Sequence, residues 1–537
     1  MEEKFIKIPT TQQLISMQNK NLHCQIDDLL VRISILYITS LLLGVGHLHA
    51  QDNDTTAKLA LLEQMVLFNN ARNDFYNSAG LKTWQSEFSY SSIKVDYFNN
   101  NSDTYLPQSG SGSKGFTVTS NSFKKLQTNL TLWGSASYEN KKIRKISYNE
   151  SLDYDIIYPY AMVDTVGGDL SSETYYFNGG LLKSFKKINI GFEGAYTGAL
   201  AYRQRDPRPE NTSSKIDVSL ALSKEMYRDY VLAVDLKGST YHQKNLLRFA
   251  SNLGAPNIYH DAGLGAYNDL LDGTNMGSIF NGDNKGVLLS FAPENRQGIM
   301  FTAGFDQLVI RKRLNSVVAN IGKLTENKFH AAIGYLLQHD ETSYLFKIFG
   351  SVKQRESLEA NFSNRGSSIG LVKISESKRF THDEAEAGIE INGQRSLNKQ
   401  QLSVLIRSFV TENNFKYINP NRKLDATNWV NLLQLNYLVP LKNNLLTTSV
   451  WFDYHRNMKT SHYWPDVNQG HTFYNMLNQM QAYYSREFYG LGASVRMDIP
   501  TKNQLGLFVQ MQGGYKNFQP ALNGDAHTLK LSAGVTF

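Results

Sequence analysis

The chain of 537 residues has one cysteine, twelve prolines, no basic run of the kind nucleic-acid binders show and, at 41% hydrophobic, too little apolar content for a helical membrane protein. Cys24 precedes the apolar run Ile33 to Gly46, so a chain processed after that run has no cysteine. That excludes disulfides and thiolate-bound metal. It also argues against a lipidated N-terminus, which needs a cysteine directly after the run. The net charge of +7 is spread along the whole length, so nucleic acid is not an expected partner. The sequence contains no Gly-x-Ser-x-Gly elbow, no His-Glu-x-x-His, no phosphate loop and no EF-hand spacing. Those absences argue against an enzyme, a bound metal and a cofactor.

What is present is alternation. The last stretch, "LKLSAGVTF", sets Leu529, Leu531, Ala533, Val535 and Phe537 on one face and Lys530, Ser532, Gly534 and Thr536 on the other, as in a strand with one apolar side. Working back from Phe537, eighteen such segments can be placed between 86 and 537, with 16 or 14 as alternatives. Their connections fall into two alternating classes. "FKKL", "SFKK", "KEMYRD", "APENRQ", "QHDE", "NGQRSLNK", "VPLKN" and "IPTKN" are short, whereas 140–171, 244–284, 355–377, 411–426 and 457–480 are long. Sorting of this kind predicts an all-β fold: a transmembrane antiparallel β-barrel of about 18 strands. It would have short periplasmic turns, long extracellular loops and a short N-terminal helix. Tyrosine, at 30 residues, suits interfacial girdles.

The register also assigns faces. Leu130, Leu132 and Ala136, the set Ile216, Val218, Leu220 and Leu222, the set Ile299, Phe301, Ala303 and Phe305, and the set Leu491, Ala493, Val495 and Met497 are expected to face lipid. The alternate positions place Glu193, Asp217, Asp235, Asp306, Lys347, Arg407, Asp453, Arg496 and Lys530 in the lumen, with Glu386 and Glu390. A charge in hydrocarbon costs about 2–4 kcal/mol, so this sorting predicts water or polar loops inside.

The closing strand resembles the C-terminal assembly signal of bacterial outer-membrane β-barrels, which implies Phe537 as that signal and the barrel assembly machinery as a partner. The 14 residues from Ile33 to Gly46 fit a signal-peptide core, with cleavage expected between Ala50 and Gln51. The expected domains are therefore 1–50, a signal peptide with an upstream extension; 51–84, a periplasmic segment or hatch; and 85–537, the barrel. Leu59, Leu62, Met65 and Val66 fall at helical spacing within 51–84. There "NSAGL" (77–81) is similar to the stretch in FadL-type hydrophobic-compound channels whose N-terminal segment occludes the lumen. "YPYAMVDTVGGDLSSETYYFNGG" and "AYRQRDPRPENTSS", in that order with the closing strand, resemble an uncharacterised set of outer-membrane β-barrel proteins of Bacteroidota. The resemblance implies the fold and the Gram-negative outer membrane, and no activity.

Arg203, Arg205 and Arg208 crowd one outer loop, with Pro207 and Pro209 stiffening it. Arginine forks bind carboxylate or phosphate, so the three either form an anion site or clamp the loop to wall acids such as Glu193 or Asp217. Loop 244–284 is long enough to fold into the lumen. His242, His260, His455, His462 and His471 lie near the rim. The expected function is a pore or transporter for small polar or amphipathic solutes, with a non-conducting interaction or assembly subunit of an uptake complex as the alternative. Expected partners are outer-membrane lipid and lipopolysaccharide, and a surface lipoprotein or TonB-dependent transporter. A TonB-dependent receptor itself is disfavoured, because 22 strands plus a plug domain need more chain.

Overall fold

The computed structural model describes residues 65–537 apart from 85, 87, 127–128, 227–228, 252–255, 274–275, 316–318, 365–370, 398–399, 442–443, 502–504 and 520–523. The expected signal peptide, its cleavage point, and Leu59 and Leu62 lie outside the described residues. Eighteen strands form one sheet that closes on itself. They are β1 (Tyr90–Ser102), β2 (Gly112–Leu126), β3 (Leu130–Ile146), β4 (Gly168–Phe185), β5 (Ile188–Tyr202), β6 (Arg208–Glu225), β7 (Tyr230–Arg248), β8 (Gly277–Pro293) and β9 (Gly298–Leu314). Then follow β10 (Asn320–His339), β11 (Thr342–Asn364), β12 (Leu371–Leu397), β13 (Gln400–Tyr417), β14 (Arg422–Leu441), β15 (Asn444–Tyr463), β16 (Phe488–Pro500), β17 (Gly506–Phe518) and β18 (Gly524–Thr536). Every neighbouring pair is antiparallel, and the barrel closes by β1 against β18, from Ser92↔Thr536 to Ser102↔Ala526. No backbone edge is left open, which is what hydrocarbon demands of a sheet.

One end carries tight turns. In three of them Lys186, Asp229 and Asp340 take positive φ (51°, 64° and 45°), the conformation that matches a short hairpin turn to strand twist. The other end carries three long connections, 147–167, 249–276 and 464–487. In barrels of this kind the tight-turn end faces the periplasm.

The faces follow the expected parity. On β6, Ile216, Val218, Leu220 and Leu222 are each about half exposed on the outside, while Ala221 and Ser223 are buried inside. The same exposed apolar belt continues through Ile299, Ile348, Ile406, Leu491 and Val509. A soluble protein does not expose a girdle of this extent. Around a closed barrel it is the lipid-facing band of an outer-membrane protein. Leu220→Arg is expected to destabilise the protein by about 2–4 kcal/mol in a bilayer, read from denaturant midpoints in lipid vesicles. Ser219→Arg, one residue away on the inner face, should cost far less; equal costs would refute this assignment of faces.

The structure corrects three boundaries. Residues 355–377 and 411–426 were expected as long loops, yet most of each is strand, in β11 to β14. Above the lipid the outer face is wet, so alternation there pairs polar with polar. Glu356 and Lys378 form an exposed ion pair on that outer wall, as do Arg311 and Asp283, at 3.1 Å. Third, the long connection expected over 457–480 runs on to 487: it ends in helix Tyr474–Tyr484, and the next strand begins at Phe488. The wall is uneven: β12 has 27 residues, whereas β1, β16, β17 and β18 have 13 each.

Candidate functional site

The inner face carries polar side chains at mid-height, and each end of the lumen is occupied. At the tight-turn end the occupant is the N-terminal segment. Helix α1 (Val66–Phe75) buries Leu67, Ala71 and Phe75 against inward-facing Ala233, Ala292, Met300, Leu336 and Leu345. Its Asp74 accepts from Lys347 Nζ at 2.6 Å, and the same ammonium reaches Glu390 at 2.8 Å. A turn of 3₁₀ helix, Ala79–Trp84, then lies against β4 to β7. Here "NSAGL" meets the wall. Ser78 Oγ hydrogen-bonds Asp235, and the amide of Ala79 donates to the same carboxylate at 3.2 Å. Ser223 Oγ donates to the carbonyl of Gly80 at 2.7 Å. A side chain at Gly191 would put its first carbon 2.5 Å from the Ala79 carbonyl oxygen, so glycine there admits the segment.

At the other end the three long connections pack into one apolar core. Ile157, Tyr160, Ala161 and Val163 from 147–167, Ala262, Leu264 and Ala266 from 249–276, and Trp464, Phe473, Met476, Leu477 and Met480 from 464–487 join wall residues Phe280, Ile310, Phe380 and Phe415. The first connection contains helix α2 (Tyr154–Ile157) and the third helix α3 (Tyr474–Tyr484). A two-residue ribbon, Met162–Val163 against Tyr259–His260, links the first two.

Cationic wall side chains receive the loop carbonyls. Arg355 donates to the carbonyls of Tyr158 and Asp155, each at 2.8 Å. Lys312 donates to Ala161 at 3.2 Å and Arg422 to Leu264 at 2.7 Å. Asp261, buried in the second connection, is pushed up to about 6 by burial, which its bond from the Gly263 amide and the charges of Lys312 and Arg422 offset in part.

The three loop arginines do not converge. Arg203 is buried and donates to both oxygens of Glu150, at 2.8 and 3.0 Å. Arg208 pairs with Asp206 at 2.7 Å on the exposed side of the turn, and Arg205 is also exposed. Nor are Glu193 and Asp217 their partners. Glu193 accepts from the Trp133 indole at 2.6 Å, and Asp217 pairs with Lys215 at 2.8 Å. Burial pushes Glu150 up to about 8, with the nearby carboxylate of Asp164 adding to the effect and Arg203 opposing it.

All nine positions assigned to the lumen share the pleat face that meets the N-terminal segment and the loops. Lys347 and Asp235 hold that segment. Arg407 pairs with Glu386 at 3.1 Å and lies over the Phe349 ring. Asp453 pairs with Lys516 at 3.5 Å, Lys530 with Asp96 at 3.4 Å, and Arg496 with Asp498 at 2.7 Å. Asp306 stands over Gly286. The rim histidines are dispersed: His242 bonds Asn281, His455 stacks on Phe488, His462 on Trp464, and His471 faces Arg422. Sequence reasoning missed Glu150, Asp74 and Arg355. Their partners are 29 to 273 residues away, and only Asp74, beside the singled-out "NSAGL", carried a local signal.

Among solved structures, BauA, the ferric preacinetobactin receptor from Acinetobacter baumannii, matches at TM-score 0.39 and 9% identity over 84% of this chain and 80% of that one. The ferric-catecholate import receptor Fiu from E. coli K12, in its open form, matches at 0.36 and 7% over 83% and 81%. OccAB2 from Acinetobacter baumannii matches at 0.30 and 10% over 84% and 98%. No curated protein matches the chain in sequence. A family model matches residues 78–537, from the serine of "NSAGL" through the closing strand, and by that match the chain belongs to DUF6850, a family of unknown function.

Proposed function

We propose that this outer-membrane barrel is a gated pore or transporter for small polar or amphipathic solutes, closed at rest, with the N-terminal segment as its inner gate. The observation that carries the reading is the seat of that segment. It lies inside a wall whose mid-height is polar and of mixed charge, a lining suited to water and weak ion selectivity. It is held by Lys347, Asp235 and a few apolar side chains, Leu67, Phe75 and Leu81 among them, each worth about 2 kcal/mol. A segment that precedes the first strand can leave without breaking any strand pairing.

The test is conductance in planar bilayers. The wild type and a variant whose outer connections 147–167, 256–273 and 464–487 are each replaced by a short linker should both be nearly silent. The same linker variant lacking 51–84 should conduct. If the linker variant alone conducts fully, the N-terminal segment is not a barrier. A tether gives an independent check. A first carbon placed on Gly80 lies 3.5 Å from that of Ala221, within disulfide range. In the linker variant shortened only to residue 65, a Gly80→Cys/Ala221→Cys pair should stay silent when oxidised. The apolar core of the outer loops favours the second reading, a non-conducting interaction subunit. Silence of the combined deletion, in protein whose gel mobility still shifts on boiling, would establish that reading instead.

A further inference from the structure

A cavity of about 410 Å³ lies beside the outer plug, on the side of the barrel where the strands are short, and the end of the plug's third connection, Tyr483 and Arg486, lines part of it. Its wall is β15 to β18 with β1, and its cover is the connection 103–111. Trp451 lines it from β15. On the adjoining strand, a first carbon at Gly492 would come within 2.1 Å of the indole. Glycine there lets the ring lie along the sheet as a flat platform. Asp453, two residues on, shares the inner face and pairs with Lys516. Opposite, Arg486 stacks on the ring of Tyr483 at 3.7 Å and gives one N–H to the Tyr483 carbonyl at 2.5 Å. Among the described residues its guanidinium has no carboxylate partner.

The volume is that of a small-molecule site, and the mixture of aromatic faces with a few fixed polar groups is what such sites use for orientation. Asp453 and Lys516 offset one another, so the net charge offered is that of Arg486. Cationic ligands are therefore disfavoured. A guanidinium with free donors selects a carboxylate, the flat indole selects a ring, and the Asp453–Lys516 pair offers an acceptor and a donor to hydroxyls. We infer that this cavity binds an acidic sugar, its ring over Trp451 and its carboxylate on Arg486.

Calorimetry on the full chain in detergent tests this with three probes: glucuronate, glucose and benzoate. Glucuronate should bind, and glucose should bind ten- to a hundredfold more weakly for want of a charged hydrogen bond. Benzoate, with a carboxylate and a ring but no hydroxyls, should be weaker than glucuronate. Arg486→Gln should reduce glucuronate to the glucose level and leave glucose unchanged. Trp451→Ala should abolish binding of both sugars, and Trp451→Phe, which keeps a ring, should retain part of it. Heat-shifted gel mobility establishes that each variant is folded. Absence of heat with glucuronate, benzoate binding as tight as glucuronate, or an Arg486→Gln variant indistinguishable from wild type would each overturn the assignment. Binding is read with the barrel closed, so its failure is separable from failure of the conductance experiment.

Discussion

Removal of Val535, Thr536 and Phe537 is expected to leave the chain exported but unassembled, with loss of the heat-shifted gel species and a fall in outer-membrane level to near background. These residues close the ring. Thr536 pairs with Ser92 on one side and Gly506 on the other, and Val535 pairs with Ile93 and Leu507. Phe537 extends the ladder: the Ser91 amide donates to its carbonyl at 2.7 Å, and its own amide donates to Ser91 at 2.9 Å. Without them the lower ends of β1 and β17 face lipid with unpaired amides and carbonyls, each costing several kcal/mol. Phe537→Ala keeps the backbone pairing and removes only the ring. A smaller defect in that variant would separate hydrogen bonding from recognition of the aromatic side chain. Normal membrane levels of the truncated chain would refute the role assigned to this end.

The second large effect concerns Arg203. Removing one member of a buried ion pair costs about 3–5 kcal/mol when the other stays charged. Glu150, pushed up to about 8, can instead hold a proton at neutral pH, so Arg203→Met should fall toward the lower end of that range. The expected result is faster chymotryptic cutting at Tyr154 and Tyr160 as connection 147–167 loses its anchor. In the wild type the proton on Glu150 belongs to the folded state. Its contribution is fully present below the ordinary carboxylate range and disappears as pH rises through about 8. Cutting of the wild type should therefore accelerate as pH rises from the ordinary carboxylate range to about 8, and level off above it. In the variant the cation that opposed burial is gone, and the acceleration should move to higher pH. Identical, pH-independent cutting of both proteins would mean that Glu150 and Arg203 do not hold this loop.

The belt of the barrel was legible because lipid enforces it. Wherever one face of a strand meets hydrocarbon, as along Ile216 to Leu222, polar and apolar residues must alternate, and the tight turns between such runs must be short. All eighteen strands could be placed from that constraint, as could the inward position of charges such as Lys347 and Asp235. Above the lipid the constraint ends. The outer halves of β11 to β14 alternate polar with polar and read as loop, although their backbones remain paired. The helix over Tyr474–Tyr484 was hidden for a related reason: buried on one side in the outer plug, it ran into residues already read as the start of the next strand. The plugs themselves could be anticipated only as segments long enough to enter the lumen. What holds them is Glu150 against Arg203 and Asp74 against Lys347, pairs that the fold brings together across long stretches of chain.

The unequal strand lengths give the mouth a direction. At a tilt of about 40°, the 27 residues of β12 rise about 68 Å along the barrel axis, whereas the 13 of β1 rise about 33 Å. β14 and β15 pair up to Tyr463, but β15 and β16 pair only up to His455, so the height drops within a single strand. The rim is a palisade on one flank and a sill on the other. Rotation of the barrel about its own axis therefore matters in a crowded membrane. A neighbouring protein leaning on the palisade would leave the sill open, and one standing at the sill would cover it.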